Sequence, residues 1–114
     1  MPLLHITTNQ PIDPQTRSER IRQASSLVAE MLGKPERYVM VNLTENADMS
    51  FGGSSESLAY LELKSIGLPA ARTSDFSKTL CGFIQETFGI APERIYIEFS
   101  DAERHLWGWN STTF

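Results

Sequence analysis

Pro2 has the least ordinary chemistry available to this chain. Behind an initiator methionine, a proline is commonly no more than a permissive second residue. If Met1 is removed, Pro2 becomes a secondary-amine N-terminus. Free α-amino groups titrate at about 8. An apolar pocket and a neighbouring cation both penalise the charged form and pull that value down. A neutral amine can then act as a general base. The other reactive side chains point to blander roles. Cys81 lies between Leu80 and Phe83 on an apolar stripe, where a buried, inert thiol is expected. It is the single cysteine, so no intrachain disulfide can form. His5 and His105 are far apart and have no cysteine partner, so no zinc-type spacing exists. Gly52-Gly53-Ser54-Ser55 lacks the lysine of a phosphate loop and the glycine spacing of a dinucleotide site, and reads as a turn. The serines, histidines and aspartates have no spacing from which a triad can be argued.

The elements that would position Pro2 follow from hydrophobic periodicity. Leu3, Leu4 and Ile6, closed by Thr7-Thr8-Asn9, predict a first strand. Asp13-Pro14 predicts a capped helix start. Ile21, Ala24, Leu27, Val28, Met31 and Leu32 form one face of a helix that ends at Gly33, with Pro35 just beyond. Tyr38 to Thr44 predicts a second strand, and Glu45 to Ser57 a loop. The order then repeats. Leu58 to Lys64 is a strand, Ser65 to Arg72 a loop, and Ser74 a helix cap. Phe76, Leu80, Phe83, Ile84 and Phe88 give a second helical stripe ending at Gly89. Ile95, Ile97 and Phe99 alternate as a strand. The tail from Asp101 to Phe114 is too short for another unit.

Pro35-Glu36-Arg37 and Pro92-Glu93-Arg94 stand 57 residues apart, which is half of 114. A shift of 57 also lays the strand at Leu3 onto the strand near Tyr60. The chain therefore reads as a single domain, 1–114, made of two tandem β-α-β repeats, about 1–57 and 58–114. The fold class is α+β: a four-stranded mixed sheet with two helices on one face. Leu4, Ile6, Val39, Val41, Leu61, Leu63, Ile95 and Ile97 are more apolar strand residues than one face needs. That predicts a second apolar face, covered together with the strand edges by other subunits.

Hydrophobic residues are 40% and charged residues 21%, ordinary globular usage that excludes disorder, collagen and coiled coil. The net charge of −4 argues against a nucleic-acid partner. No apolar run reaches the length of a membrane span. The first residues carry no secretory pattern. With one cysteine, this gives a cytoplasmic, reducing location as the expectation. Asn110-Ser111-Thr112 is then a chance glycosylation motif.

Several short motifs occur in one order over the whole chain. They are Met1-Pro2, Gly33-Lys34-Pro35, Phe51-Gly52-Gly53-Ser54-Ser55-Glu56, and Ser65-Ile66-Gly67. Ser77-Lys78, Leu80-Cys81-Gly82, Arg94 with Tyr96-Ile97, and Gly108-Trp109-Asn110 through Phe114 follow. In this order the chain resembles the macrophage migration inhibitory factor family of the tautomerase superfamily. The resemblance implies the tautomerase fold, a homotrimer with sites between subunits, and cofactor-free keto-enol tautomerase activity. The implied substrates are phenylpyruvate-like α-keto acids, their enols, and dopachrome-type compounds.

By the same resemblance Pro2, freed of Met1, is the catalytic base. Lys34 holds the substrate carboxylate and helps to lower the Pro2 pKa; read without a family, it is a solvated lysine after a helix stop. The Ile66 amide matches a carboxylate-binding position. Tyr96 matches an aromatic supplied by the adjacent subunit, and Trp109 and Phe114 match apolar walls. As residues alone, these three aromatics equally suit core or interface packing. Three positions depart from the pattern. Ser57 and Tyr60 replace a Cys-x-x-Cys pair, which removes a thiol oxidoreductase role. Glu98 replaces a substrate-facing asparagine and would repel acids. Trp107 replaces a smaller residue and would narrow the pocket. The alternative function is a cytokine-like ligand for a receptor-type protein partner.

Overall fold

The computed structural model describes all residues, 1–114. Strand β1, Leu3–Thr8, leads to helix α1, Pro14–Leu32. The Asp13 side chain accepts a hydrogen bond from the Thr16 amide at 2.9 Å and caps α1, with Pro14 in its first turn. That bond holds the Asp13 carboxyl below its ordinary pKa. Gly33 ends α1 in the left-handed conformation at φ 64, which returns two amides to the carbonyls of Ala29 and Glu30. A 3₁₀ turn, Glu36–Tyr38, then leads into β2, Met40–Thr44. Strand β3, Ala59–Ile66, helix α2, Thr73–Phe88, the turn Pro92–Arg94 and β4, Ile95–Ala102, repeat the order. A hairpin follows, with β5, Gly108–Trp109, and β6, Thr112–Thr113.

The sheet order is β2-β1-β3-β4. Each repeat contributes a parallel pair, and the first strands of the two repeats meet antiparallel in the centre. The expected fold class is therefore present. Both helices cover the same face. From α2, Phe76, Leu80, Ile84 and Phe88 recur every four residues as buried side chains. Ala24 and Val28 of α1 join them on Leu4, Ile6, Leu61 and Leu63 of the central strands.

Five expectations change, four of them local. Ser74 is not the α2 cap: the helix begins at Thr73, running out of the turn Ala70–Arg72 with no side-chain cap. Ser65 belongs to β3 rather than to a loop, and Tyr38 to the turn before β2. Cys81 is half-buried, packed against the core from the side of α2 rather than enclosed by it.

The largest change concerns the second face. All eight apolar strand residues counted from the sequence belong to, or pack against, the single core. Leu4 pairs with both Val41 and Leu63, and Ile6 pairs with Leu61, which pairs with Ile97. Paired residues share a face, so the register gathers them all beneath the helices. The open face is mainly polar. One row across it reads Asn42, His5, Glu62, Glu98, and the next reads Thr44, Thr7, Tyr60, Tyr96. No helix is long and apolar enough to cross a membrane.

Candidate functional site

The N-terminal end of β1 lies beside a cavity of about 460 Å³. Pro2 is buried in its wall, and its carbonyl accepts the Met40 amide at 3.0 Å, which ties it to the start of β2. The turn Glu36–Tyr38 brings Arg37 and Tyr38 to the same cavity. The chain tail closes the other side. Beyond the turn Arg104–Leu106, β5 and β6 fold back on each other, and the Phe114 amide donates to the Trp107 carbonyl at 3.2 Å. The tail, too short for another repeat unit, thus becomes a wall.

The walls are aromatic. Trp109 and Phe114 stack with ring centres 5.2 Å apart and 15° between planes. Tyr38 meets both edge-on, at 5.6 and 6.0 Å. Trp107 lines the same space. A flat apolar group fits such a lining. Tyr38 is a wall residue that sequence reading missed. Its residue type predicts a strand, and periodicity does not say what a side chain ahead of a strand will face. In the sequence Arg37 is only a marker of the repeat.

The electrostatics at this end are positive. The Met1 α-amine has its pKa lowered, first by burial and then by the charges of Lys34 and Arg104. Both effects disfavour an ammonium. No side-chain carboxylate lines the cavity. Ile66 stands at the same end of the sheet. The register that pairs Leu3 with Lys64 continues to put Ile66 opposite Met1, although Ile66 itself is buried outside the cavity.

Tyr96 and Glu98 are not brought together with Pro2 in one chain. Tyr96 is aligned with Thr7, five residues along β1 and two strands across from Pro2, which is about 19 Å. Glu98, aligned with His5, lies about 14 Å away by the same spacing. On the open face Glu98 accepts a hydrogen bond from the Tyr60 hydroxyl at 2.8 Å. That bond favours the neutral phenol, and with nearby Glu62 pushes the Tyr60 pKa up to about 12. The resulting stabilisation is full below the ordinary value of 10.0 and fades as pH rises through about 12. Glu98→Gln is therefore expected to bring one tyrosine's titration back toward 10.0, read in the alkaline phenolate spectrum with Tyr60→Phe as the reference. An unchanged spectrum would show that the Tyr60–Glu98 bond is absent in solution.

The fold has clear counterparts among known proteins. A family model described as macrophage migration inhibitory factor matches residues 1–114. The chain is 34% identical to macrophage migration inhibitory factor of Meriones unguiculatus, over 100% of this chain and 99% of that protein. It is 36% identical to the homologue from Brugia malayi, with the same coverage of each. Among solved structures, the homologue from Prochlorococcus marinus superposes with a TM-score of 0.91 at 43% identity, covering 98% of both chains.

Proposed function

The chain belongs to the macrophage migration inhibitory factor family, and from that premise we propose that it is a cofactor-free keto-enol tautomerase of phenylpyruvate-like α-keto acids, with Pro2 as its base. The observation that carries this reading is the setting of the N-terminus. Pro2 sits in the wall of an aromatic cavity, and the Met1 amine beside it is held toward its neutral form by burial and by Lys34 and Arg104. While Met1 is attached, the Pro2 nitrogen is an amide and has no basic lone pair. Removing Met1 leaves a secondary amine at the same point.

In the proposed reaction this amine takes a proton from the carbon beside the keto group. The electron pair left behind forms the carbon–carbon double bond of the enol, and the oxygen receives the proton. Lys34 holds the substrate carboxylate, with the Ile66 amide as a second donor. Trp107, Trp109 and Phe114 take the ring. Tyr96 and Glu98 enter from a neighbouring subunit of a homotrimer. Support for assembly comes from the two open sheet edges at β2 and β4, and from the exposure of Met40, Tyr96, Leu106 and Trp109. It no longer comes from an apolar second face.

The test is an ultraviolet assay of phenylpyruvate enol–keto conversion on protein whose N-terminal mass shows Met1 gone. Light scattering on the same sample is expected to give three times 12.8 kDa. A stable monomer with full activity would contradict the shared site. Folded, methionine-free trimer without turnover would favour the protein-ligand reading instead.

A further inference from the structure

The internal repeat offers a control for what each arginine in it does. Arg37 and Arg94 are repeat mates, each in a 3₁₀ turn after a proline. Each turn lies beside a tight hairpin of the opposite half. At Arg94 that hairpin is Phe51–Ser54, turning through Gly52 and Gly53 at φ 60 and 80. At Arg37 it is β5–β6, turning through Asn110 and Ser111 at φ 51 and 65. An aromatic pair marks each place: Phe51 with Tyr96, and Trp109 with Tyr38.

The two guanidiniums differ completely in what they hold. Arg94 donates to the carbonyls of Phe51, Ser54, Glu56 and Ser57 at 3.0–3.1 Å. Arg37 lies 4.8 Å over the Tyr38 ring and enters no ion pair. The same is true of ion pairing for Lys34 and Arg104. The cavity end therefore carries three cations that pair with no side-chain carboxylate of their own chain. A single substrate carboxylate on Lys34 leaves two of them unmatched.

We propose that Arg37, assisted by Arg104, is a second anion-reading position, and that the site takes α-keto acids carrying a further carboxylate at the far end of a flat apolar body. This rests on the tautomerase reading for the keto acid itself. The guanidinium fork matches a carboxylate in two parallel hydrogen bonds, which an ammonium cannot do. Stacking on Tyr38 holds the fork in place before the ligand arrives. The aromatic walls take the body between the two acids.

Calorimetric binding of two non-reacting probes tests it: 3-phenylpropanoate and 3-(4-carboxyphenyl)propanoate, on methionine-free protein at physiological salt. The diacid is expected to bind about tenfold more tightly, the scale of one charged hydrogen-bonded pair. Arg37→Gln is expected to bring the ratio to within about twofold. Arg37→Lys, keeping charge without the fork, should retain part of it. Equal affinities in the unmodified protein, or a full ratio surviving in Arg37→Gln, would overturn the proposal. Selective diacid binding with no turnover of phenylpyruvate or its 4-carboxy derivative would instead overturn the tautomerase reading and leave the anion position standing.

Discussion

Replacing Pro2 by glycine in the methionine-free protein is expected to lower kcat/KM for phenylpyruvate by about 10²-fold or more, the scale of a lost general base. Glycine keeps an α-amine at the terminus, so the loss would report the kind and placement of the amine, not its presence. A primary amine on a flexible glycine is less fixed than the ring nitrogen of a buried proline. Protein that retains Met1 should be as inactive, because its Pro2 nitrogen is an amide. Circular dichroism and light scattering separate this from unfolding. Rates near those of the unmodified enzyme in a folded Pro2→Gly trimer would remove Pro2 from the mechanism.

The second large effect is expected at Arg94, and it is one of stability. Its guanidinium gathers four carbonyls of the segment 51–57. Single hydrogen bonds to a charged group are worth about 1.5–3 kcal/mol, but these carbonyls are part-exposed and water replaces much of the loss. Arg94→Ala should then cost about 2–3 kcal/mol in all, and lower the melting temperature by about 10 °C. Arg94→Lys should recover little, because an ammonium cannot span four acceptors. The repeat mate supplies the contrast: Arg37→Ala, with no such bonds to lose, should change stability by less than about 0.5 kcal/mol. Equal melting temperatures for the two alanine variants would show that Arg94 is not a clamp. Because Phe51 packs on Tyr96 with ring centres 4.6 Å apart, the Arg94 variants should also loosen Tyr96. A raised KM is the sign to look for.

What could be read ahead of the structure was whatever local chemistry decides. Asp13-Pro14 and Gly33 mark the ends of α1 because capping involves residues three or four apart. The repeated Pro-Glu-Arg carried the order of elements, and short β-α-β units dictate parallel pairs. What failed depended on register. Counting Leu4, Val41, Leu63 and Ile97 as an excess assumed two faces, whereas pairing assigns all of them to one. The tail hairpin has no glycine in its turn to announce it. Asn110 and Ser111 adopt positive φ without the usual glycine, so nothing local signalled the turn that builds a cavity wall. Pro2, Trp107, Trp109 and Phe114 do converge. Tyr96 and Glu98 were grouped with them by likeness to a family, and likeness carries no distance within one chain.

The antiparallel junction of β1 with β3 also governs when this protein can fold during its synthesis. The middle of the sheet joins the first strand of one repeat to the first strand of the other, pairing Leu3 with Lys64. A nascent chain ending near residue 57 therefore holds one helix, α1, on a two-stranded parallel ribbon, with both flanks of the ribbon's backbone unpaired. A unit of that size buries only a small part of its surface, and β4 must emerge before the second half is complete. Closure of the core is postponed to the end of translation, and the contacts that close it span about half the chain. Domains ruled by distant contacts fold slowly. The interval between release from the ribosome and closure is when the unpaired edges of β1 and β2 are most open to association with other chains.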